Sequence, residues 1–395
     1  MLHASRIVRS LGRPFRVLAL ESSADDTCAA VVDSSRRIWS NVIHSQHELH
    51  QAAGGIQPLV ALLAHQRNMP SVVQRALAEA KLEMADIDGV AFTRGPGIPG
   101  CLSVCCNAAK TLAAATNKPL VGVHHMQAHT LTPELTSSTP PQFPFLSLLV
   151  SGGHTMIVHV LSRTEFRILV NTVDKSIGAA IDRVVTLLKI PWTELGPGPG
   201  LESFCAEGGP NNPDVHYPPP EIMRGQLAFS YAGLHSWVER TIRSSGGLEN
   251  VDRRVLARTF QAAAFDQLGD KLLLAINRCR VHGRPVKELV VSGGVASNTA
   301  LRLRLQQYLQ RSKTHITAVF PDPALCVDNA AMIAWASMHR FEAGDHDDYS
   351  IDPLPSWSLD ALTNPPPNID SSAEHQKAQK PQSRHIADGT RIQKE

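Results

Sequence analysis

Two histidines four residues apart are the first candidates for chemistry in this chain. Residues 121–130 read VGVHHMQAHT and place His125 and His129 at positions i and i+4. On a helix such positions share a face, with Cβ atoms about 5–6 Å apart, so two neutral imidazoles can bind one metal ion. A mononuclear site usually needs a third protein ligand. Polar residues on a solvated helix are the alternative, because the chain contains 18 His and this spacing also arises by chance.

Short apolar runs predict the strands that would position such residues. The predicted strands are 17–20, 28–32, 88–93, 120–123, 145–150, 156–161 and 288–291. Several are followed by turns of acidic or small residues, which let a backbone lie against a ligand. These turns are 21–27, 94–100, 151–155 and 292–298, and a further Gly-Pro loop spans 196–200. Tight packing of a helix on a strand, or a solvated turn, explains each of them equally well.

Composition excludes several classes of protein. A chain of 395 residues with 43% hydrophobic and 19% charged residues is long enough for two globular domains. No stretch approaches the ~20 apolar residues of a membrane span. The 7 Cys are scattered without a C-x-x-C pair, which favours a reducing compartment over a disulfide framework. A formal charge of +2 means that any nucleic-acid surface must be a local basic patch.

Three segments differ in composition from the rest. Residues 1–16 contain four Arg and no acid, which is typical of a mitochondrial targeting peptide, with a frayed basic terminus as the alternative. Residues 131–143 form a polar, Pro-rich break. From residue 359 to residue 395 the chain is polar and Pro-rich, so a disordered tail is predicted there.

Both halves of the chain open in the same way. A strand, a small polar turn and a returning strand occur near residue 17 and again near residue 145. This duplication predicts two related lobes around one cleft, covering residues 17–143 and 144–345. Asp328 and Asn329 fall at the start of a late helix, where an N-cap role is the simplest interpretation.

Six motifs in a fixed order make the pattern specific. They read LALESSADDT, TRGPGIPG, HHMQAH, LVSGGHT, VSGGVASN and CVDNAAMIA. Together they resemble the TsaD/OSGEP family of tRNA N6-adenosine threonylcarbamoyltransferases over roughly residues 16–345, and the basic N-terminus suggests its mitochondrial, OSGEP-like branch. The fold implied by the resemblance is the α/β, actin-like ATPase (ASKHA) class, with two RNase H-like lobes of five strands each around a central cleft.

The resemblance also implies a role for individual residues. His125, His129 and Asp328 match the metal ligands, so one divalent ion per subunit, Zn or Fe, is expected. Positions matching the substrate-binding residues are Val150, Ser151, Gly152, Gly153, His154, Asp182, Gly198 and Asn298. Asp182 matches the acid at the ribose, and Asp25 and Asp26 match an acidic pair near the phosphates. His154 and Asp26 are the candidates for proton transfer in catalysis.

Some positions depart from the family pattern. Ala24 and Asp26 stand where Cys and Glu are usual, so a carboxylate is kept but shortened by one methylene. His235 replaces a common Lys, which could weaken a basic contact with tRNA or a partner. Gln127 replaces a Glu between the two metal histidines, a change that leaves both ligands in place.

The implied reaction moves a threonylcarbamoyl group from threonylcarbamoyl-AMP to N6 of the adenosine 3′ of the anticodon, in tRNAs reading ANN codons. AMP is a good leaving group, whereas the exocyclic amine is a weak nucleophile, so the site must supply proximity and charge stabilisation. The expected partners are tRNA, threonylcarbamoyl-AMP, the synthase that makes it, and a second copy of the chain in a homodimer. A mitochondrial matrix location and no membrane association are expected.

Two other activities fit the motifs less well. A metal-dependent glycoprotein peptidase would need H-E-x-x-H, but Met126 occupies the Glu position and Gln127 is not a useful base. An ATP-dependent small-molecule kinase of the actin-like class suits Asp25 and the Gly-rich turns but has no need of the two histidines. A non-enzymatic nucleotide-binding scaffold likewise has no need of three metal ligands.

A basic stripe is the candidate tRNA surface. Its members are Arg240, Arg243, Arg253, Arg254, Arg258, Arg302, Arg304 and Arg311. Solvated helix faces explain these arginines equally well.

Overall fold

The computed structural model describes residues 12–51, 53, 55–209, 214–312 and 315–366. These residues form two β-sheets, each with helices packed against it. None of the helices in these ranges is long and apolar enough to cross a membrane.

The first lobe is built on a five-stranded sheet. In chain order its strands are β1 (Arg16–Glu21), β2 (Asp26–Asp33), β3 (Ile38–Ser45), β4 (Gly89–Gly95) and β5 (Leu120–His124). Their order across the sheet is β3-β2-β1-β4-β5. Strand β2 pairs antiparallel with both β1 and β3, whereas β4 pairs parallel with β1 and β5 pairs parallel with β4. Strands β1, β2, β4 and β5 are almost wholly buried, as expected for strands covered on both faces.

Four helices follow the strands of the first lobe. They are α1 (His47–Gln51), α2 (Pro58–Ala80), α3 (Pro99–Ala115) and α4 (His125–Thr136). Helices α2 and α3 cover one face of the sheet, packing on side chains such as Leu20 and Phe92. On the opposite face, Val17 and Ala19 pack against α4 and a helix from the end of the chain. The alternation along β1 therefore supplies apolar side chains to both layers.

A six-stranded sheet forms the second lobe. Its strands are β6 (Phe145–Val150), β7 (Thr155–Val160), β8 (Phe166–Thr172), β9 (Ala228–Phe229), β10 (Glu288–Ser292) and β11 (Thr317–Val319). Their order is β11-β10-β6-β7-β8-β9. The sheet therefore has one strand more than the five expected, because the two-residue β9 adds a parallel edge strand beside β8.

Most helices of the second half cover one face of this sheet. They are α5 (Ile177–Leu187), α6 (Pro197–Ala206), α7 (Ala232–Ser244), α8 (Arg253–Val281), α9 (Thr299–Arg311) and the short α10 (Pro323–Cys326). Their apolar side chains and those of the sheet form one large core that includes Val150, Phe260 and Leu289. The loops at 151–154 and 293–298 follow the carboxyl ends of β6 and β10, which pair in parallel.

The last long helix crosses back to the first lobe. Helix α11 (Ala330–Ala343) packs on β1, β2, β4 and β5 and beside α4. Its buried face, which includes Ile333 and Phe341, completes the core around Val17. The predicted second lobe of 144–345 is therefore wrong at its end, because the apolar surface that α11 buries belongs to the first sheet.

A strap of residues 345–362 then ties the two lobes together. The backbone N–H of Leu354 donates to Arg94 in the first lobe at 2.7 Å. Farther along, Asp360 Oδ1 accepts the N–H of Ile168 in the second lobe at 2.6 Å, and Leu359 is only 2% exposed. The predicted tail of 359–395 therefore begins too early, because Leu359 fills an apolar site on the second sheet. Residues 367–395 lie outside the described residues.

Part of the predicted targeting segment belongs to the fold. Residues 1–11 lie outside the described residues, but Arg13 forms an ion pair with Asp88 at 2.7 Å. The ring of Phe15 is buried against Phe341 of α11, with centroids 5.4 Å apart, and Arg16 is the first residue of β1. Residues 13–16 therefore pack as part of the first lobe.

Candidate metal centre in the cleft between the lobes

The two metal-site histidines lie at the start of a buried helix. His124 ends β5 and caps α4, because its Nδ1 accepts the N–H of Met126 at 3.1 Å. Its Nε2 must then carry the proton, which it donates to the carbonyl of Trp357 in the strap at 3.1 Å. Burial lowers the pKa of His124 to about 3, so the imidazole is neutral. This histidine thus fixes the helix that places His125 and His129 one turn apart.

Asp328 reaches these histidines from the other half of the chain. It lies between α10 and α11, and Asn329 rather than Asp328 caps α11 by accepting the N–H of Met332 at 3.0 Å. Asp328 Oδ1 lies 3.0 Å from His129 Nε2 and 3.4 Å from His125 Nε2. The three potential ligand atoms all lie within 4.8 Å of one another. The structure therefore brings together the three predicted ligands.

This donor set suits a divalent cation. Two imidazole nitrogens and one carboxylate oxygen form the facial arrangement found in Zn and non-haem Fe sites, with positions left open for a substrate. Burial alone would raise the pKa of Asp328, but His125 and His129 outweigh it and hold that pKa well below its usual range. The ionised carboxylate is therefore favoured, which is the form that binds metal.

Glu21 is a second buried carboxylate at the same centre. Its Oε2 lies 3.3 Å from His125 Nδ1, and its side chain also accepts the N–H of Ser23 and the hydroxyl of Thr93. Donation of the Nδ1–H to Glu21 fixes the ring orientation and leaves Nε2 to face Asp328, an arrangement common for metal-bound histidines. No sequence pattern identifies Glu21 as part of the centre, although it is the last residue of β1.

Gln127 points away from the metal ligands. Its Nε2 donates to the carbonyl of Arg163 in the second lobe at 2.8 Å. Arg163 in turn pairs with the buried Glu134 of α4 at 2.8 Å, so this end of α4 is held against the second lobe. Gln127 therefore makes a contact between lobes, and no base of the H-E-x-x-H type faces the site.

The loop 151–154 of the second lobe faces the metal centre. It is a tight turn in which the N–H of Ser151 donates to the carbonyl of His154 at 2.8 Å. Two glycines of other elements make room for it: a Cβ at Gly178 would meet Ser151 O, and one at Gly293 would meet Val150 O. Around Gly152 and Gly153 the space is open, so a ligand can approach their backbone.

His154 lies close enough to the metal ligands to sense their charge. Burial, and then His125 and His129, lower the pKa of His154 to about 4. The imidazole is therefore neutral near pH 7 and offers one N–H donor and one lone pair. The structure places this predicted catalytic residue at the same centre as the predicted ligands.

Asp182 of the second lobe and Asp25 of the first lobe lie close enough for their charges to interact. Asp182 lies on α5 in the second lobe, and its pKa is raised to about 7 by burial and then by Asp25 of the first lobe. Asp25 lies in the turn between β1 and β2, with His47 Nε2 at 3.8 Å from its carboxylate. The two predicted nucleotide-binding acids therefore belong to one cleft.

Asp26 is held in a less polar setting. Its pKa is raised well above the usual range by burial and then by the charges of Asp25 and Asp328. Its Oδ1 is buried and has no hydrogen-bond partner among the described residues. This setting favours the protonated carboxyl of Asp26 over the carboxylate.

Gly198 and Asn298 lie at the starts of two helices. Gly198 is in the first turn of α6, with open space where a Cβ would be. Asn298 caps α9, since its Oδ1 accepts the N–H of Leu301 at 2.9 Å, which leaves its Nδ2 group as a donor. Both positions follow the pattern of helix starts that bind nucleotides, but their contact with a nucleoside stays a prediction.

Most of the predicted basic stripe is used inside the fold. Arg253, Arg254, Arg258 and Arg302 donate to backbone carbonyls of neighbouring segments, and Arg304 pairs with Asp266 at 2.6 Å. His235 is also buried, at 9% exposure. Five of the eight arginines are therefore engaged within the fold, and the stripe as a tRNA surface stays a prediction.

The chain is similar in sequence to known transferases. Residues 37–335 match the family model described as TsaD, tRNA N6-adenosine threonylcarbamoyltransferase. A protein named tRNA N6-adenosine threonylcarbamoyltransferase from Afipia carboxidovorans is 38% identical over 364 residues, covering 91% of this chain and 99% of the relative.

Solved structures of the same fold are more distant in sequence. HypF from T. kodakarensis has a TM-score of 0.53 at 14% identity, covering 85% of this chain and 49% of HypF. A full-length HypF in a phosphate- and nucleotide-bound form has a TM-score of 0.50 at 14% identity, covering 84% and 55%. These likenesses confirm the predicted actin-like, two-sheet α/β fold.

Proposed function

Because this chain belongs to the TsaD family of tRNA N6-adenosine threonylcarbamoyltransferases, we propose that it modifies mitochondrial tRNAs reading ANN codons, with a divalent metal held by His125, His129 and Asp328. The observation that supports the metal proposal is the convergence of these three side chains from both halves of the chain, within 4.8 Å. The bound ion would act as a Lewis acid towards an oxygen of threonylcarbamoyl-AMP.

Other residues of the protein bind and position the donor substrate. The open backbone at Gly152 and Gly153 can lie against the phosphate, while Asp182 accepts hydrogen bonds from the ribose. Holding the donor there beside the entering adenosine supplies the proximity that a weak amine nucleophile needs. The energetic gain comes from positioning, because AMP is already a good leaving group.

His154 is the better of the two candidates for accepting the proton of N6. It is neutral near pH 7 because its pKa is about 4, whereas burial and the neighbouring carboxylates raise the pKa of Asp26 and favour the protonated form of that carboxyl. A base with so low a pKa accepts a proton only as the amine becomes acidic during attack. We therefore assign proton acceptance to His154 and leave Asp26 as a neutral donor.

Reconstitution tests the activity directly. The purified chain is mixed with a threonylcarbamoyl-AMP synthase, threonine, bicarbonate, ATP and an ANN-decoding tRNA transcript, and nucleosides are analysed by mass spectrometry. Threonylcarbamoyladenosine is expected, and a transcript with guanosine in place of the target adenosine should give none. An unmodified adenosine in the complete mixture would reject the proposed activity.

Two single histidine variants test the assigned metal ligands. His125→Ala should lose both bound metal and at least about 100-fold of activity, since a ligand is removed. His44→Ala is the matched control, because His44 is exposed on the edge strand β3 of the same lobe. Full activity and unchanged metal content in His125→Ala would reject the assigned ligands.

Dimerisation and location are part of the same proposal. Apolar side chains are exposed along the start of α2, with Leu59 at 67% and Leu63 at 44%, which suits an interface with a second copy. Analytical ultracentrifugation tests this, and a monomer at micromolar concentration would argue against it.

For the mitochondrial location, imaging of a fluorescent fusion is decisive, and we place the end of the targeting segment before the paired Arg13.

A further inference from the structure

The edge of the second sheet that lies away from the cleft collects several chain segments. Helix α8 ends at Val281 shortly before β10 begins at Glu288, and α9 ends at Arg311 before β11 begins at Thr317. Strands β6, β10 and β11 are parallel, so their starts share one edge. The cleft loops at 151–154 and 293–298 follow the opposite ends of β6 and β10. We call the first of these the amino edge.

Cations dominate this amino edge. Residues 277–288 read NRCRVHGRPVKE, with four cations before the first acid. The exposed cations at the edge are Arg167, Arg278, Arg280, Arg284, Lys287 and Arg311, and we call this set the basic edge. The carboxylates that we place beside them are Glu165, Glu288 and Asp360.

Each of those carboxylates already has a partner. Glu165 pairs with Arg167 at 3.4 Å, Glu288 accepts the N–H of Gln142, and Asp360 accepts the N–H of Ile168. In the described ranges, the other five cations of the basic edge form no ion pair. Their charge is therefore available to an external anion.

Contacts between segments show that the set is continuous. The N–H of Thr317, at the start of β11, donates to the carbonyl of Lys287 at 3.0 Å. At the end of β7, His159 has a lowered pKa because of burial and then the charges of Arg284 and Arg167. The basic edge thus extends from β11 and β10 across to β7 and β8, which is the order of the sheet.

Helix termini account for only part of it. Cations are favoured in the last turn of a helix, which explains Arg278 and Arg280 on α8 and Arg311 on α9. Arg284 and Lys287 lie in a loop, and Arg167 lies on β8, where no helix dipole acts. A field of one sign that spans helix, loop and strand ends is typical of a polyanion-binding surface.

We propose that the basic edge binds the sugar–phosphate backbone of tRNA outside the anticodon loop while that loop occupies the cleft. The inference rests on the proposed tRNA modification and adds the surface that holds the rest of the substrate. Cations at this edge can neutralise phosphates without reading bases. An anionic membrane is a poorer fit, because Val281 is the only large apolar side chain exposed among residues 277–288 of the described chain.

Distance decides which part of the RNA is involved. Strand β6 has six residues, so about 20 Å separates its cleft end from the amino edge. A base-paired DNA strand rises about 3.4 Å per nucleotide and an A-form RNA strand rises less, so at least roughly six stacked pairs span this gap. A tRNA whose anticodon loop is in the cleft can therefore reach the basic edge only with nucleotides beyond that loop.

Binding of two RNAs tests the proposal. Fluorescence anisotropy compares a full-length ANN-decoding tRNA transcript with its isolated anticodon stem-loop, for the wild type and for Arg284→Ala with Lys287→Ala. We expect the wild type to bind the full-length tRNA more tightly. The variant should lose roughly fivefold to tenfold in affinity for full-length tRNA and little affinity for the stem-loop. For full-length tRNA, the slope of log K against log salt concentration should become shallower by about 1.5.

Two further variants separate charge from general damage. Arg67→Ala with Arg75→Ala removes two exposed arginines of α2, a helix that packs on the sheet of the first lobe. It should not change the ratio of the two affinities. Arg284→Lys with Lys287→Arg keeps the charge and should retain wild-type binding, because backbone contacts need charge rather than side-chain shape.

Several results would overturn the proposal. Equal wild-type affinity for both RNAs, or an unchanged ratio in the Arg284→Ala, Lys287→Ala variant, would show that the basic edge does not hold tRNA. Loss of binding to anionic phospholipid vesicles with intact tRNA binding would assign the surface to a membrane instead. A wild type that binds tRNA but fails to modify it would reject the proposed activity and leave this surface standing.

Discussion

Asp182 shows how the cleft controls the ionisation of a single side chain. Burial and the facing charge of Asp25 raise its pKa to about 7, roughly three units above an ordinary Asp. A raised pKa means that the folded protein binds this proton more tightly than the unfolded chain. The contribution of Asp182 to stability is therefore greatest below pH 4 and is lost as pH rises towards 7.

Replacing this acid should stabilise the protein in a pH-dependent way. For Asp182→Asn we expect a free energy of unfolding about 1–3 kcal/mol above wild type at pH 8 and close to it at pH 4, since an amide cannot ionise. Urea unfolding at both pH values measures this. The gain should come with a higher KM for threonylcarbamoyl-AMP, because the proposed ribose acceptor is lost.

A second acid provides a comparison of opposite sign. Asp345 has a lowered pKa through its hydrogen bonds and ion pair with Arg340, so Asp345→Asn should destabilise the protein at pH 8. If Asp182→Asn instead gave the same difference from wild type at pH 4 and pH 8, the facing carboxylates would not be the cause.

The residues of the metal centre differ in how far sequence can predict them. His125 and His129 are predictable because one helix brings them together. Asp328 was predictable only through the family resemblance, since nothing local links residue 328 to residue 125. Glu21 and His124 act through contacts with other segments, namely the ring of His125 and the carbonyl of Trp357. Such contacts between segments leave no periodic pattern in the sequence.

Among the elements, the loop 151–154 depends on Gly178 and Gly293, which lie outside it. Gly293 has φ of +98°, and a Cβ there would meet the carbonyl of Val150. Its neighbour Gly294 has open space at the same position. Two adjacent glycines therefore differ in whether they can carry a side chain, and only the first sets the position of the substrate loop.

The two glycines should respond differently to the same substitution. Gly293→Ala should lower the free energy of unfolding by about 2–4 kcal/mol, because it combines a left-handed backbone with a clash against fixed backbone. It should also raise the KM for threonylcarbamoyl-AMP by displacing Val150. Gly294→Ala is the control and should stay within about 1 kcal/mol of wild type. Equal effects of the two changes on stability would contradict the assigned role of Gly293.

Elements with long apolar runs were predictable, and short or irregular ones were not. The strands at 17–20, 145–150 and 288–291 are confirmed within a residue or two, because each is buried and β-branched or leucine-rich. Helix α6 begins inside Gly196-Pro-Gly-Pro-Gly200, which was expected to be a loop. Pro at the first helical positions is compatible with a helix start, but the glycines beside it hide that signal.

At the scale of the whole molecule, chain order and spatial order differ. Helix α11 and the first part of the strap follow the second lobe in sequence but pack on the first. Sequence patterns showed that α11 is apolar but not which sheet covers it, since either sheet offers an apolar face. The consequence for function is direct, because Asp328 precedes α11 and is carried to the histidines by that crossing.

The strap closes the same connection from the other side. In this strap, the carbonyl of Trp357 accepts a hydrogen bond from His124, the residue before the metal-site helix, and Leu359 packs on the second sheet. The apolar cluster around Leu359 contains Met126 of α4 together with Leu149 and Phe166 of the second lobe. One short segment therefore holds the metal-site helix and the substrate-loop sheet in a fixed relation.

Two truncations should show that the strap extends beyond Ser358. A chain ending at residue 358 loses the buried Leu359 and the bond from Ile168 to Asp360, whereas a chain ending at residue 366 keeps both. We expect the shorter chain to be less stable by about 2–4 kcal/mol, from one buried leucine and the hydrogen bonds that Asp360 and Ala361 accept. Thermal and urea unfolding of the two proteins measure this difference in stability. Both proteins lack residues 367–395, so that segment does not contribute to the difference. Superimposable curves would mean that residues 359–366 add nothing to the fold and that the structured chain ends at Ser358.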